Sequence, residues 1–183
     1  MEKCSMRCFV AIDLPKNLRM EIKRYTQKYN KVKWSPREQM HITLRFMGEA
    51  KEDKIDDIKE ALSRIEIPAF KTFAANSGFF PSPKSPSVFW IGIENCQELG
   101  KLKKDVDKAL RPFGLLADRK SYVPHITLCR FKRGSHKKIV AQLQEHFAAF
   151  PETEIEVDSF KLYQSRLFRG NTEHVMLESF DLY

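Results

Sequence analysis

The sequence predicts an α+β fold built as a bilobal pseudo-twofold duplication, with two mainly antiparallel sheets flanking a central cleft and helices packed on the outside. Three observations predict it. Segments of helical periodicity alternate with short runs rich in β-branched and aromatic residues. The order strand, helix, strand, helix, strand occurs twice, about 84 residues apart. The tetrapeptide His-Ile-Thr-Leu stands in the same place in each copy, at 41–44 and 125–128. We therefore predict one domain over residues 1–183, with repeat units of roughly 8–80 and 88–167.

Four segments carry apolar residues at helical spacing, and each such stripe needs one face buried. Proline marks one boundary of each segment: Pro15 precedes the first, Pro68 follows the second, Pro112 ends the third and Pro151 follows the fourth. The predicted helices span 16–30, 52–66, 97–112 and 136–150.

Seven runs between and around these helices have strand composition. In order they read CFVAIDL, MHITLRFM, AFKTFAANSGFF, VFWIGI, PHITLCRF, EIEVDSFKLYQSRL and HVMLESFDLY. The stretch GFFPSPKSPSVF is dense in proline and serine, and we interpret it as a hairpin loop between two strands. Since no low-complexity linker divides the two copies, they are expected to share one domain.

The overall charge favours an anionic partner. The 32 Lys and Arg residues outnumber the 24 Asp and Glu residues, which gives a formal net charge of +8. A basic balance of this kind is typical of nucleic-acid binding, although solvated helix faces such as KLKKDVDK offer a simpler explanation.

The composition otherwise indicates an ordinary globular protein, with 42% hydrophobic and 31% charged residues. No apolar run approaches the roughly 18 residues that a membrane span needs. The N-terminal run CFVAIDL is short and lacks a cleavage site, so it predicts a strand and not a signal peptide. Four cysteines without a CxxC pair predict neither a zinc site nor an oxidising compartment, and we expect a cytoplasmic protein.

The two repeated tetrapeptides carry the chemistry. Because strand side chains alternate between faces, His41 and Thr43 project together while Ile42 projects to the other face. His125 and Thr127 share a face in the second copy for the same reason. Two polar residues on a half-buried strand are often just solvated, but matched positions in a repeated unit would bring both pairs to one axis.

Two imidazoles and two hydroxyls around one point suit in-line displacement at phosphorus. One imidazole can act as the base for the attacking oxygen and the other as the acid for the leaving oxygen, since an unperturbed imidazole titrates near neutral pH. Threonine hydroxyls can donate hydrogen bonds to the non-bridging oxygens. Neither a metal nor another cofactor is required, and two histidines fall short of the usual zinc ligand set. The remaining histidines are predicted to be surface residues: His136, His146 and His174.

The paired motifs resemble those of the 2H phosphoesterases, and within them the RNA 2′,3′-cyclic phosphodiesterases, also called 2′-5′ RNA ligase-like proteins. The resemblance covers nearly the whole chain. RCFVAI at 7–12 is similar to the family's opening strand, MHITLRFMGE at 40–49 to its first motif and PHITLCR at 124–130 to its second.

The resemblance implies hydrolysis of an RNA 2′,3′-cyclic phosphate to a 2′-phosphate, and in some members the joining of RNA ends through 2′-5′ bonds in reverse. By the same analogy His125 is the base (proton acceptor) and His41 the acid (proton donor), although the symmetry of the motifs leaves these roles interchangeable. The implied partner is RNA with cyclic phosphate ends, with tRNA fragments as one candidate. We expect a monomer with no membrane association.

Two arginines compete for the phosphate. Arg45 is in phase with His41 on its strand and reaches the cleft directly, so strand geometry favours it. Arg130 is implied by the resemblance, but strict alternation puts it on the face opposite His125 unless a bulge intervenes. For each arginine, a charge on the rim of the cleft is as good an explanation as contact with the phosphate. Candidate stacking and basic contacts for single-stranded RNA are Phe9, Trp34, Phe79 and Tyr122 with Arg7, Lys33, Lys132 and Arg133, although each aromatic taken singly is better explained as a core residue.

Two alternatives stay open at this point. The same pair of histidines would serve the cleavage of 2′-5′ linked oligonucleotides. A non-catalytic RNA-binding module would keep the fold, but it has no need of a matched imidazole pair. An ATP-dependent ligase is disfavoured, because the chain has neither a GxxxxGK[ST] loop nor a Lys-x-Asp-Gly motif.

Overall fold

The computed structural model describes residues 5–116, 121–132, 136–168 and 171–183. The helices and strands, in chain order, are β1 Ser5–Asp13, α1 Lys16–Thr26, β2 His41–Lys51, α2 Ile55–Ser63, β3 Phe70–Ser82, β4 Ser85–Ile93, α3 Gln97–Leu110, β5 His125–Arg130, α4 Lys137–Phe147, β6 Thr153–Val157, β7 Ser159–Phe168 and β8 Asn171–Asp181. The four predicted helices are confirmed, each ending up to four residues before the predicted boundary. No helix in the described ranges is long and apolar enough to cross a membrane.

All eight strands lie in one antiparallel sheet, in the order β6-β3-β4-β5-β2-β1-β7-β8. The predicted α+β class is confirmed, whereas the prediction of two separate sheets is wrong. The two sets of four strands are joined between β2 and β5 by the pairing of Ile42 with Ile126. This short junction at the centre of the sheet brings the two His-Ile-Thr-Leu strands side by side.

The spatial halves of the sheet do not coincide with consecutive stretches of chain. Strand β3 pairs with β4, the first strand of the second copy, and β7 pairs with β1. The run EIEVDSFKLYQSRL, interpreted as one strand, is two strands separated at Asp158. Each half therefore contains a strand from the other copy. The repeat units 8–80 and 88–167 stay a prediction.

The predicted loop GFFPSPKSPSVF is mostly strand. Strand β3 continues to Ser82 and β4 begins at Ser85, with these two residues paired across the turn. The hairpin is confirmed, but its turn is only Pro83 and Lys84. Proline is tolerated in both strands here because these positions lie at the end of the hairpin, where few ladder hydrogen bonds are lost.

The hydrophobic core anchors both motif strands from behind. Ile42, Ile126 and Leu128 are fully buried, and Leu44 almost so. They belong to the same buried cluster as the apolar faces of the four helices. Burial of each such side chain contributes about 1.5–3 kcal/mol. The helices therefore lie on one face of the sheet, and the alternate residues of β2 and β5 project from the other.

Strand β2 carries an extra residue directly after Thr43. Across from β1, Thr43 is paired with Ala11 and Arg45 with Val10, so Leu44 has no partner in the register. Such a bulge bends the strand and reverses which face the following residues occupy.

Strand β5 carries the same irregularity at the equivalent place. Across from β4, Thr127 is paired with Trp90 and Cys129 with Phe89, so Leu128 is the unpaired residue. The two copies therefore share an irregularity in strand pairing as well as a sequence motif. The periodicity of the sequence does not reveal this irregularity.

The two bulges redirect the residues that follow the motifs. The second residue after each threonine turns into the core: Arg45 is 6% exposed and Cys129 1% exposed. The third residue turns to the opposite, solvent-facing side, where Phe46 and Arg130 lie. These positions decide which side chains surround the motifs.

Candidate active site

The two motifs open into one cleft on the face of the sheet that the helices leave uncovered. The cleft has a volume of about 630 Å³. Residues that line it from the motif strands and from β8 include His41, Thr43, His125, Thr127, Arg130 and His174. The meeting of the two motifs in one place is therefore confirmed.

The pairing of Ile42 with Ile126 fixes how the motif side chains face one another. Continuing this antiparallel register by one residue on each side sets His41 across from Thr127, and Thr43 across from His125. The two histidines are then diagonal neighbours, which in a regular antiparallel pair are roughly 7–8 Å apart. A gap of this size accommodates one phosphate group between the rings.

The two imidazoles are held by equivalent hydrogen bonds, each to a backbone carbonyl oxygen two residues earlier. Nδ1 of His41 lies 2.7 Å from the carbonyl oxygen of Gln39, and Nδ1 of His125 lies 2.8 Å from that of Val123. Because a carbonyl oxygen only accepts, Nδ1 carries the proton in each ring. In the neutral rings Nε2 is consequently the basic nitrogen, and it is the atom that can exchange a proton with a substrate.

His41 is enclosed by other rings. Phe9 stacks on it with ring centroids 4.7 Å apart, and His174 meets it edge-on at 5.3 Å. Burial lowers the pKa of His41 to about 4, and His174 and His125 add to the decrease as neighbouring bases. The hydrogen bond to Gln39 opposes it. Without a ligand in the cleft, His41 is therefore neutral at neutral pH.

A carboxylate lies beside His41. Asp13 is its partner in the pairing of β1 with β2, and its negative charge acts against the lowered pKa of His41. Lys161 and Tyr163 donate hydrogen bonds to Asp13 at 2.5 and 2.6 Å. Although burial acts to raise the pKa of Asp13, these hydrogen bonds and the charge of Lys161 bring it below its ordinary value. Asp13 is therefore ionised, and its negative charge favours the protonated form of His41 over what burial alone would allow.

His125 has different neighbours. Phe80 meets its ring edge-on at 4.9 Å. Gly92 is its partner in the pairing of β4 with β5, in the place that Asp13 holds beside His41. Burial lowers the pKa of His125, and the positive charge of Arg130 lowers it further. The two imidazoles are therefore held by the same kind of hydrogen bond, but the charged residues beside them differ.

The bulges determine which of the two arginines lines the cleft. Arg130 lines the cleft, as the resemblance implied, because the unpaired Leu128 restores it to the face of His125. The prediction that Arg45 reaches the cleft is wrong. Its side chain is buried on the helix side, where Nε lies 3.7 Å from Oδ1 of Asp107 on α3. Simple alternation failed because Leu44 takes no part in the register.

The predicted stacking aromatics are mostly packing residues. Phe9 lines the cleft but is 2% exposed beneath His41, and Phe79 is buried in the core. The hydroxyl of Tyr122 donates to the carbonyl oxygen of Thr43 at 3.1 Å, and burial raises the pKa of this hydroxyl. Trp34 is half-buried and donates to the Tyr29 carbonyl oxygen. Among the predicted basic contacts, Arg7 lines the cleft, Lys33 and Lys132 do not, and Arg133 lies outside the described residues.

The prediction that His174 is a surface residue is wrong. It lines the cleft, packs against His41 and lies with its ring 4.8 Å from that of Phe9. Burial lowers its pKa. No signal near position 174 indicates this, because β8 reaches the cleft only through its pairing with β7. His136 and His146 are half-buried and lie outside the cleft, each with Nε2 close to a backbone carbonyl oxygen, that of Lys132 at 2.6 Å and that of Tyr25 at 3.1 Å.

Solved structures share this fold. The crystal structure of Escherichia coli LigT complexed with 3′-AMP matches with a TM-score of 0.79 at 24% identity, covering 98% of this chain and 99% of that one. A structure from Thermus thermophilus also matches with a TM-score of 0.79 and 24% identity, covering 96% and 97% of the two chains. At this identity the likeness establishes the architecture.

Relatives of higher identity cover most of the chain. A Thermotoga maritima protein described as an RNA 2′,3′-cyclic phosphodiesterase is 36% identical over 170 residues, 88% of each chain. An Archaeoglobus fulgidus protein of the same description is 36% identical over 165 residues, 88% of this chain and 92% of its own. The family model of the 2′-5′ RNA ligase superfamily matches residues 14–167. The resemblance of the two motifs is confirmed, and the chain belongs to the 2′-5′ RNA ligase superfamily.

Proposed function

We propose that this protein is an enzyme that hydrolyses RNA 2′,3′-cyclic phosphate ends to 2′-phosphates without a metal ion. The observation that carries the proposal is the pair of motif histidines in one cleft, each with Nδ1 bound to a backbone carbonyl oxygen. The description of the relatives as RNA 2′,3′-cyclic phosphodiesterases supports the same substrate class.

The proposed reaction is a direct displacement. Nε2 of His125 accepts a proton from water as the water oxygen bonds to phosphorus, and the bond from phosphorus to the 3′ oxygen breaks. Nε2 of His41 donates its proton to that leaving oxygen, which gives a 3′ hydroxyl and a 2′-phosphate. The proton gained by His125 is then lost to solvent and His41 is reprotonated from solvent. The same displacement, with a 5′ hydroxyl in place of water as the attacking group, would break the same bond to the 3′ oxygen and join RNA ends by a 2′-5′ bond.

The charges around the rings support this assignment of roles. Asp13 favours a proton on His41, and Arg130 disfavours one on His125. An anionic phosphate bound between the rings favours the proton on either ring, which offsets their burial. Thr43 and Thr127 line the same cleft, and in this mechanism their hydroxyls donate hydrogen bonds to the non-bridging oxygens. Arg130 is placed to neutralise the charge that remains.

The test uses single substitutions of the two histidines. His41→Ala and His125→Ala should each lower kcat by roughly 10²–10⁴-fold on a short RNA that ends in a 2′,3′-cyclic phosphate, the range for loss of an acid or base. His136→Ala is the matched control, because His136 lies outside the cleft at the start of α4. Reactions contain EDTA, and the position of the product phosphate is read by NMR. Near-normal hydrolysis by either cleft variant, or a strict need for a divalent metal, would overturn the mechanism.

The two alternative functions give different outcomes in the same assay. Exclusive turnover of a 2′-5′ linked dinucleotide would indicate an oligonucleotide phosphodiesterase that uses the same histidines. Tight binding of RNA with no turnover of either substrate would indicate a binding module. The particular RNA, including tRNA fragments, the monomeric state and the cytoplasmic location stay predictions.

A further inference from the structure

A second pocket, called the side pocket below, lies next to the cleft beside His125. It has a volume of about 770 Å³, within the usual range for sites that bind small ligands. Val123 and Pro124, which directly precede His125 in the chain, line it, and so does Gly92, the strand partner of His125. Neither motif histidine belongs to its lining. The side pocket therefore adjoins the cleft next to the ring that acts as the base in the proposed mechanism.

The aromatic surface of the side pocket is the indole of Trp90. Trp90 is the partner of Thr127 in the pairing of β4 with β5, and its ring centroid lies 6.3 Å from that of His125. A Cβ built at Gly78 would overlap the ring of Trp90, and one at Gly92 would lie 3.3 Å from it. These two glycines therefore leave room for the indole to lie along the surface of the sheet. Trp90 is half-buried and lines the side pocket.

Asn76 brings a polar side chain to the side pocket. It takes no part in the register of β3 with β4, where the pairing passes from Ala75 to Ser77. Its φ of 62° is the only positive φ of a non-glycine residue in the described ranges, and asparagine tolerates this conformation better than most residues. The other polar side chains that line the side pocket are those of Glu94, Asn95, Tyr122 and Glu152. The side pocket thus combines an aromatic surface with several oxygen acceptors.

The charges of the side pocket differ from those of the cleft. Its lining, as far as the structure describes it, contains the carboxylates of Glu94 and Glu152 and neither lysine nor arginine. Arg7 and Arg130 line the cleft instead. A phosphate group is therefore favoured in the cleft and disfavoured in the side pocket. A nucleobase suits the side pocket, since its face can stack on an indole and its N–H and amino groups can donate to carboxylate and amide oxygens.

We propose that the side pocket binds the 5′-terminal nucleoside of a second RNA, whose free 5′ hydroxyl replaces water as the attacking group. This inference rests on the proposed function, because that mechanism places the attacking oxygen at Nε2 of His125. The base stacks on Trp90, and the uncharged 5′ end avoids the repulsion that a 5′-phosphate would meet from the carboxylates. The position of the side pocket beside His125, away from His41, is where the nucleoside of an in-line attacking group must extend.

The reaction exchanges one phosphodiester bond for another and needs no further reactant. The 5′ hydroxyl gives its proton to Nε2 of His125 as its oxygen bonds to phosphorus. The bond from phosphorus to the 3′ oxygen breaks, and that oxygen takes the proton of His41. The two RNAs are then joined by a 2′-5′ bond.

The test measures how each variant divides a cyclic end between water and RNA. A labelled tetranucleotide with a 2′,3′-cyclic phosphate end is incubated with an excess of a 5′-hydroxyl tetranucleotide, and hydrolysed and ligated products are separated on a gel. Trp90→Leu should lower the ratio of ligated to hydrolysed product roughly 5- to 150-fold, the range for one stacked base. Trp90→Phe, which keeps an aromatic face, should restore most of the ratio. Hydrolysis without the second RNA should stay near the wild-type rate, because water needs no pocket for a base.

Asn76→Gly tests the same pocket without changing the indole. Glycine adopts a positive φ freely, so this variant keeps the fold even if Trp90→Leu does not. The product ratio should fall roughly 2- to 12-fold, the range for one lost hydrogen bond. Tyr183→Leu is the matched control, because Tyr183 is 76% exposed and lines neither the cleft nor the side pocket. Unchanged ratios in both pocket variants would overturn the inference, as would a wild type that hydrolyses the cyclic end but forms no ligated product.

Abasic RNA identifies the contact. Replacing the 5′-terminal base of the second RNA by hydrogen should lower the product ratio of the wild type by the same factor as Trp90→Leu. It should have little further effect on that variant. Independent, multiplying effects of the two changes would refute the stacking of this base on Trp90.

A binding measurement separates this inference from the proposed function. The chain has two tryptophans, so Trp34→Phe leaves Trp90 as the only one, and a base stacked on its indole quenches the fluorescence. Titration with a 5′-hydroxyl trinucleotide should quench it to saturation, and Asn76→Gly in the same background should weaken the binding. If the wild type turns over no cyclic end, the proposed function fails, yet this result supports the side pocket as a nucleoside site. If hydrolysis is normal but quenching is absent or unaffected by Asn76→Gly, the side pocket is refuted and the proposed function stands.

Discussion

The low proton affinity of both cleft histidines predicts an acid-shifted pH profile. Catalysis by one acid and one base requires the enzyme form that carries a single proton on the pair. In the free enzyme burial lowers the pKa of His41 to about 4, and burial together with Arg130 lowers that of His125. Both values lie below the ordinary 6.5 or so of an imidazole. The singly protonated form is therefore most abundant on the acid side of pH 6.5.

The profile of kcat/KM reports this form, because kcat/KM follows the protonation of free enzyme. Above the higher of the two pKa values the pair loses its last proton, and kcat/KM should fall about tenfold per pH unit. At pH 7 nearly all His41 rings are unprotonated, because that pH lies well above the pKa of about 4. A cyclic phosphodiester keeps one negative charge across this range, so ionisation of the substrate does not contribute to the pH dependence of kcat/KM. Once it is bound, its charge raises both pKa values, and the fall of kcat should begin at a higher pH.

Initial rates on a cyclic-ended oligonucleotide, measured from pH 4.5 to 9 at constant ionic strength, test this expectation. NMR titration of the histidine ring protons, assigned with His41→Asn and His125→Asn, gives the two pKa values without substrate. The shapes of the rate profile and the titration must agree. A kcat/KM that is constant or rising between about pH 6.5 and 8.5 would show that the rings are not desolvated as the structure indicates.

The bulges and His174 lead to two further predictions. Arg130→Gln should lower kcat/KM roughly 10-fold or more with unchanged thermal stability, since a hydrogen bond to a charged group is worth about 1.5–3 kcal/mol. Arg45→Met should instead lower the free energy of unfolding by up to about 3 kcal/mol in urea denaturation and leave KM unchanged; the reverse pattern would contradict the observed strand register. His174→Ala should raise the pKa of His41 in the NMR titration, because it removes both a covering ring and a neighbouring base, and an unchanged or lowered pKa would show that His174 does not influence His41.

The parts of the site that follow from local geometry were predictable from the sequence. A histidine and a threonine two residues apart on a strand share a face whatever the strand pairs with. The repeat then implied that the two pairs meet. That His41 shares a face with Thr43, and His125 with Thr127, needed nothing beyond the two motifs themselves.

The parts that depend on pairing between distant strands were not predictable. A bulge after Thr43 is a property of the register between β1 and β2, and the residues of β2 alone read as regular alternation. Because of this bulge, Arg45 and Phe46 lie on the faces opposite to those that regular alternation gives them. His174 was missed for a related reason, since β8 reaches the cleft through β7. The merging of two expected sheets into one depends on the contact of Ile42 with Ile126.

The repeat supplies two equivalent rings, whereas the proposed reaction needs one to give a proton and the other to take one. The difference arises at positions where the two copies have diverged. Asp13 stands beside His41, and Gly92 holds the corresponding place beside His125. A Cβ at Gly92 would lie 3.1 Å from the backbone oxygen of Ala75, so a carboxylate could not be added there without a shift of the backbone. In the proposed mechanism, the direction of proton transfer would therefore depend on the residues around the motifs, where Asp13 stands beside one ring and tight backbone packing disfavours a carboxylate beside the other.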